Sequence, residues 1–189
     1  MIPCSAAEFQ NRFEQMPSDV FDKIKLSHGD IRTIRLEKQF DAVISLFHVM
    51  SYQPENEDLN KVFQNAKIHL KSGGIFLFDC WYGPGVLTDR PTIRIKRLQD
   101  DKLMITRIAE PVMYVNENRV DVNYQVFIKD KNSGAVEEIN ECHKMRYLFT
   151  PEIKEFFLKA GMNMIGCYEF MTYKQTSYNT WNVVFIGRR

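Results

Sequence analysis

The centre of the chain combines two short apolar runs with a helical pattern between them. Residues 41–46 form an apolar run led by an acid, which is typical of a buried parallel strand. From Asn56 the apolar positions recur on one helical stripe, at Leu59, Val62, Phe63, Ala66 and Leu70. Residues 71–74 predict the helix end, and residues 75–79 predict a second strand. The pattern indicates a strand-helix-strand unit with parallel strands and a right-handed connection.

The segments before and after this unit have their own patterns. Residues 5–16 open with a capping-box pattern and predict a helix. Residues 24–28 alternate and predict a strand that ends at Gly29-Asp30. Residues 82–85 predict a break in regular structure. A helix capped by Thr150 is predicted next, and two closing strands follow at residues 162–170 and 181–187.

Between residue 91 and residue 149 the pattern changes to a strand-like alternation of apolar and polar positions. Four stretches alternate with short turn signals between them, at residues 92–98, 103–108, 120–129 and 135–149. Consecutive strands with short turns predict an antiparallel meander.

Composition and charge exclude several classes of protein. With 189 residues, one domain is the default. The 25 basic and 24 acidic side chains are interspersed, which does not favour a nucleic-acid partner. No apolar run approaches the ~20 residues that span a bilayer, so we expect no membrane partner. The four cysteines are far apart and predict neither a metal site nor disulfides, which favours a cytoplasmic protein with reduced thiols.

Chemistry-capable residues follow both central strands, at the edge where open α/β sheets place ligands. His48 follows the first strand, with Tyr52 four residues further on, and a histidine can act as a base near neutral pH. This pair is predicted to be catalytic; the alternative is a loop histidine bonded to a backbone carbonyl. Asp79, Trp81 and Tyr82 suit an amino sugar, since rings stack on a sugar and a carboxylate holds an ammonium. The alternative for Asp79 is a turn-capping acid.

The last strand of the meander carries two further polar candidates. His143 and Arg146 alternate along it, so their side chains point to opposite faces. We name His143 as a candidate substrate contact. A solvated sheet face is the alternative for both residues.

Several stretches together resemble the class I S-adenosylmethionine-dependent methyltransferases. They are residues 29–31, 40–45 and 70–79, with the helix and hairpin that close the chain. The resemblance implies S-adenosylmethionine as cofactor, with Asp30 on the adenine amino group and the backbone of Ile31 beside it. It also implies that Leu46 and Phe47 form part of the cofactor wall. The alternatives are a turn acid for Asp30 and core packing for the two apolar residues.

A narrower likeness concerns the meander and its flanks. Residues 79–84 and 143–149 are similar to the corresponding parts of bacterial sugar N-methyltransferases that make dimethylamino sugars. The meander would then be the insertion of that group.

The amino-terminal part departs from the family. The glycine-rich loop after strand one and the acid that ends strand two have no counterpart. We therefore expect an α/β fold with a Rossmann-like methyltransferase core lacking strands one and two. Residues 1–189 would form a single incomplete domain, with residues 91–149 as an inserted antiparallel β subdomain. The strand at 41–46 would then have an unpaired apolar edge, which proteins usually avoid. Three explanations are open: another subunit fills the gap, the helix at 5–16 covers it, or the chain is a fragment.

These observations lead to one expected function and two rivals. We expect S-adenosylmethionine-dependent methyl transfer to a small-molecule acceptor, with an amino sugar as a candidate, in a homodimer. Cofactor binding is expected to be weak or absent unless a partner supplies the missing strands. The first rival is a catalytically impaired or non-catalytic member of the fold that acts as a dimeric interaction module. The second is another nucleotide-binding α/β enzyme, for which no phosphate-cradling loop exists.

Overall fold

The computed structural model describes residues 23–189, and the chain divides into two compact units, residues 1–30 and 31–189. In the first unit, residues 24–30 form no regular structure, so the strand predicted at residues 24–28 is wrong. Its apolar residues Ile24 and Leu26 remain exposed, and alternation without a buried face does not make a strand. The helix predicted at residues 5–16 lies outside the described residues.

The second unit is an α/β structure dominated by strands. Its elements are β1 (Phe40–Ser45), a 3-10 helix (Val49–Tyr52), α1 (Asn56–Ile68), β2 (Leu70–Tyr82), α2 (Gly83–Thr88), β3 (Arg94–Gln99), β4 (Leu103–Tyr114), a second 3-10 helix (Val115–Glu117), β5 (Arg119–Asp130), β6 (Val136–Leu148), α3 (Thr150–Lys159), β7 (Asn163–Glu169) and β8 (Asn182–Arg188).

The strands form one sheet in which β2 is the central member. The strand order is β3-β4-β5-β6-β2-β8-β7, and β1 pairs with β2 beside this path. β1 and β2 run parallel, with Ser45 opposite Phe78, which confirms the predicted parallel pair. β8 occupies the other edge of β2 as far as Trp81. β6 joins β2 at the Trp81–Tyr147 and Tyr82–Leu148 pairs, so it continues the edge of β2 where β1 ends.

One face of this sheet is covered by α1 and α3. The ring of Phe63 on α1 lies 4.9–5.6 Å, centroid to centroid, from those of Phe76, Phe78, Phe156 and Phe157. Such edge-on and stacked contacts add to the stabilisation from burial. All residues of the apolar stripes predicted for both helices are buried here, although Leu70, the last residue of the first stripe, belongs to β2 and not to the helix. The predicted cap of α3 is displaced by one residue, because the backbone N–H of Phe149 donates to Glu152.

The start of β2 differs from the sequence expectation. We predicted a helix through Leu70 and a turn at residues 71–74, but the strand already begins at Leu70. The pairing moves from Phe40–Leu70 directly to Ala42–Ile75, so the extra residues bulge out of the sheet. Gly73 adopts a φ of 78° within this bulge, and its N–H donates to the Arg189 carbonyl oxygen. Arg189 thus holds the bulge, which takes the place of the expected turn.

The meander strands β3 to β6 pair antiparallel in chain order. β4 continues to Tyr114, six residues beyond the predicted end of this strand at residue 108, and it passes through Pro111. β3 pairs with β4 only as far as Ala109. Within the described residues, Pro111 therefore lies on an edge without a partner strand, where proline is tolerated.

A second apolar cluster lies between the meander and α2. It comprises Val86, Val120, Val122, Met145 and Tyr147. The break predicted at residues 82–85 is wrong, because Gly83 begins the short helix α2. Pro84 fits the first turn of a helix, where its missing N–H has no partner to lose. A Cβ at Gly83 or Gly85 would collide with the Phe149 ring or the Thr180 carbonyl, so glycine allows this close packing.

Candidate functional site

The corner after β1 has an unusual backbone. Phe47 and His48 both adopt left-handed conformations, with φ of 64° and 63°. Each such non-glycine residue costs on the order of 1–3 kcal/mol and persists only where its surroundings hold it. Asp79 at the end of β2 supplies part of this hold, since the N–H of His48 donates to its Oδ1 at 3.0 Å.

The same carboxylate also contacts the His48 ring. Asp79 Oδ2 lies 2.9 Å from His48 Nδ1, and the Asp79 side chain is only 1% exposed. Neither atom has a well-aligned hydrogen bond in the described part of the chain, so the contact is chiefly electrostatic. Because Nδ1 faces Asp79, Nε2 is the ring nitrogen left for a ligand. A histidine backed by a buried carboxylate can accept a proton, since the carboxylate stabilises the imidazolium.

This histidine–aspartate pair combines two residues that the sequence assigned to separate roles. The partner of the His48 ring is a carboxylate and not the backbone carbonyl that was the alternative. Asp79 also accepts the His48 backbone N–H, which corresponds to the turn-capping alternative considered for this acid. The sequence contained a signal for this contact, because both residues were predicted to follow neighbouring parallel strands. In the structure, Asp79 comes one position after the Ser45–Phe78 pair. The roles themselves remain predictions.

Trp81 belongs to the same side of β2. Its ring lies edge-on to His48, with centroids 6.5 Å apart, and 5.3 Å from Trp181. Its backbone N–H donates to the buried Ser51 Oγ at 3.0 Å. Ser51 and Trp181 are contacts that sequence reasoning missed, since neither has a diagnostic spacing.

Tyr82 points to the opposite face of β2. It packs against the core beneath α1 and α3, and its hydroxyl lies 3.3 Å from Thr150 Oγ1. The predicted wall of Trp81 and Tyr82 is therefore wrong, because neighbouring strand residues alternate between faces.

A second polar cluster joins the 3-10 helix to the meander. Tyr52 Oη lies 2.6 Å from His143 Nδ1, and His143 Nε2 lies 3.0 Å from Glu141 Oε2. The Tyr124 ring stands edge-on to His143 at 4.9 Å. Burial raises the pKa of the Tyr52 phenol, with further contributions from Tyr124 and Glu141, so the phenol keeps its proton at neutral pH.

This cluster corrects the solvated-face interpretation of β6. The His143 side chain is 17% exposed, and Arg146 is buried. Arg146 donates to the Pro54 carbonyl and to Glu152, both at 3.0 Å. Glu141 and Tyr124 had not been identified from the sequence, although both fall on the strand face of His143 in the alternating pattern.

An apolar groove of about 460 Å³ runs along β1 and α1. Ile31 and Leu46 both line it, and their cofactor-binding roles stay predictions. Asn65 fixes the loop before β1, because its Nδ2 donates to the Ile31 carbonyl at 2.7 Å. Phe47 is 75% exposed at the end of β1. Asp30 is exposed in the first unit, and its role stays a prediction.

The groove fits only part of S-adenosylmethionine. Its lining is apolar except for Ser45, Asn65 and His69, which suits an adenine ring. Ser45 Oγ is buried and has no hydrogen-bond partner among residues 23–189, so it is available to a ligand. No carboxylate lines the groove within residues 31–189, so the acid expected for the ribose is not among these side chains.

Residues 23–189 lack two further features. No group of three or more His, Cys, Asp or Glu side chains in this part could hold a metal ion. No helix in the same residues has the length and apolar character needed to cross a bilayer.

Comparison with solved structures defines the class. An S-adenosylmethionine-dependent methyltransferase from Clostridium acetobutylicum superposes with a TM-score of 0.78 at 20% identity, covering 96% of this chain and 70% of that one. The sugar N-methyltransferase KedS8 from Streptoalloteichus gives a TM-score of 0.77 at 16% identity, covering 100% of this chain and 68% of that one. The chain therefore has the fold of S-adenosylmethionine-dependent methyltransferases, and the resemblance predicted from the sequence is confirmed. No family model matches the chain.

Curated relatives point to a narrower group. The dTDP-3-amino-3,4,6-trideoxy-alpha-D-glucopyranose N,N-dimethyltransferase of Streptomyces venezuelae is 26% identical over 139 residues, 74% of this chain and 57% of its own length. A dTDP-3-amino-3,6-dideoxy-alpha-D-glucopyranose N,N-dimethyltransferase of Streptomyces fradiae is 21% identical over 146 residues, 77% of this chain and 54% of its own. The chain thus spans just over half the length of these sugar N,N-dimethyltransferases.

Proposed function

We propose that the chain forms the acceptor-binding part of an S-adenosylmethionine-dependent N-methyltransferase that acts on a nucleotide-linked amino sugar. The His48–Asp79 pair carries this proposal, because it stands at the carboxyl ends of two paired parallel strands. The names of the curated relatives supply the acceptor class. Because the chain spans only part of those relatives, the activity belongs to the proposal for the whole protein.

The residues of the pair suit the chemistry of an amine acceptor. When bound, S-adenosylmethionine supplies an electrophilic methyl group on a positively charged sulfur. An amine is nucleophilic only as the free base, so an ammonium acceptor must first lose a proton. His48 can take that proton at Nε2, and Asp79 stabilises the resulting imidazolium. Trp81 offers an aromatic surface beside it for the sugar or its ammonium group.

The groove along β1 is our proposed adenine site. Ile31 and Leu46 would contact the ring, and Phe47 would cover it from the exposed corner. Independently of this groove, the resemblance alone proposes Asp30 as a contact of the adenine amino group. We further infer an incomplete Rossmann-like core that lacks strands one and two, with residues 91–149 as an inserted subdomain. The antiparallel pairing of β3 to β6 supports the insertion.

Acceptor binding and methylation test the proposal together. The wild-type chain is titrated with dTDP-3-amino-3,4,6-trideoxyglucose and with dTDP-glucose, which lacks the amine. We expect preferential binding of the amino sugar and, at millimolar S-adenosylmethionine, slow formation of methylated product detected by mass spectrometry. His48→Gln should lower this rate by about 10²–10⁴-fold, whereas the surface variant Lys61→Gln should not change it. Equal binding of the two nucleotides would overturn the proposal.

The exposed edge of β1 favours a second candidate, a dimeric interaction module. Ile44 is 60% exposed, and no strand of residues 23–189 pairs with the outer edge of β1. An open apolar edge is a template for strand pairing with another chain. Sedimentation equilibrium should then show a dimer that Ile44→Lys converts to a monomer. A monomeric wild-type protein would remove this candidate.

A further inference from the structure

The cluster of Tyr52, His143 and Glu141 has a fixed direction of hydrogen bonding. A carboxylate can only accept, so Glu141 at 3.0 Å requires a proton on His143 Nε2. In the neutral ring Nδ1 is then an acceptor, and the Tyr52 phenol at 2.6 Å is the donor. Burial keeps the phenol protonated by raising its pKa, which agrees with this direction.

This direction determines what Tyr52 can offer to a ligand. Its only hydroxyl hydrogen is committed to His143, so the remaining lone pairs of the oxygen can only accept. Tyr52 is 42% exposed, and it ends the 3-10 helix that begins next to His48. A free acceptor oxygen at this position favours a ligand with N–H or O–H donors, which an amine, an ammonium or a hydroxyl has and an ether or carbonyl lacks.

The other neighbours of His143 hold its ring without changing the direction of these hydrogen bonds. Tyr124 packs edge-on against it, and the Arg107 guanidinium covers the Tyr124 ring at 5.2 Å. His143 and Glu141 lie on one face of β6, and their side chains are 17% and 25% exposed. The three groups therefore form a largely shielded chain that ends at a solvent-facing phenol.

We propose that Tyr52 accepts a hydrogen bond from the amino group of the acceptor, and that Glu141 is a positioning residue that sets this role through His143. The inference rests on the proposed function and deepens it, because it names the side chain that would contact the acceptor's amino group. It also changes the role of His143, which orients Tyr52 instead of touching the substrate.

Nuclear magnetic resonance of histidine-labelled protein tests the positioning role without any ligand. The ¹⁵N signals of the wild type should show His143 protonated at Nε2 and unprotonated at Nδ1. Glu141→Gln should keep this tautomer, since the amide oxygen can replace the carboxylate as acceptor, whereas Glu141→Leu should lose it. A wild-type Nδ1 that carries the proton, or a tautomer unchanged in Glu141→Leu, would overturn the inference.

Calorimetric titration with dTDP-3-amino-3,4,6-trideoxyglucose tests the binding role. Tyr52→Phe and Glu141→Leu should each weaken its binding about five- to tenfold relative to the wild type. Glu141→Gln should stay within about twofold of the wild type, and Tyr114→Phe on β4 is the matched control. Normal wild-type binding with unchanged affinity in Tyr52→Phe would overturn this inference alone. Failure of the wild type to bind the amino sugar would overturn the proposed function and the ligand assigned to Tyr52, while the tautomer result stands by itself.

Discussion

The His48–Asp79 pair allows a quantitative test by a double-mutant cycle. Asp79→Asn removes the charge and keeps an oxygen for the His48 backbone N–H. His48→Ala removes the ring and leaves that backbone bond in place. The strain of alanine at φ 63° is present in both the single variant His48→Ala and the double variant, so it cancels in the cycle. The cycle therefore isolates the contact between Nδ1 and Oδ2 at 2.9 Å.

The expected coupling follows from burial. Two unit charges about 4 Å apart attract by ~4 kcal/mol at an effective dielectric constant of ~20. Desolvation of the buried carboxylate opposes this attraction. Because the His48 side chain is also 28% exposed, which screens the attraction further, we expect a coupling of about 1.5 kcal/mol.

The control is the Lys61–Glu57 pair on the exposed face of α1. Its atoms are closer, at 2.7 Å, but its side chains are 48% and 78% exposed. Pairs of this kind contribute about 0.3–0.5 kcal/mol. Free energies of unfolding from urea titrations at constant pH provide both cycles. Equal coupling in the two pairs would refute the reasoning, because distance and not burial would then control the interaction.

Three further predictions concern the cofactor, the core and a turn. Residues 1–189 alone should bind S-adenosylmethionine weakly or not at all in calorimetry, because the groove offers no carboxylate within the described residues 31–189; micromolar affinity in a monomeric sample would contradict this. Gly187→Ala should lower the free energy of unfolding in urea by about 1–3 kcal/mol, because its Cβ would collide with the Phe157 ring, while exposed Ser72→Ala should have little effect. Asp130 accepts bonds from Ser133 and Asn132 that lower its pKa, so it stabilises the fold above its ordinary pKa of 3.8, and this contribution is lost as pH falls through the lowered value. Asp130→Asn should therefore flatten the acid side of a melting-temperature profile, and an unchanged profile would count against the turn contacts.

The central unit was predictable because its residues repeat one pattern over many positions. The stripe of α1 and the apolar run of β1 each place several side chains on one buried face, and local periodicity is sufficient to recognise them. The closing helix and the meander strands were recognised for the same reason. Residues 24–28 show the limit, since they alternate but bury no face against a core.

The errors occurred where distant residues decide the local structure. The bulge at Gly73 depends on Arg189, and the helix at Gly83 depends on space beside Phe149. In the site, His48 and Asp79 were both named, yet their contact follows from strand register. Glu141 was missed because the cluster it belongs to depends on the contact between Tyr52 and His143, which are 91 positions apart.

The junction between β2 and β6 has a mechanical consequence. Only the Trp81–Tyr147 and Tyr82–Leu148 pairs join these two strands, whereas eleven pairs join β5 to β6. A sheet joined over so short a line twists about it more easily than across its long ladders. The hydrogen bond between Tyr52 and His143 spans this junction. A tilt of the outer strands would therefore alter the distance between His48 and His143, while the contacts within each cluster stay intact. Divergence in the outer strands can thereby change the separation of His48 and His143 without disturbing the contact between His48 and Asp79.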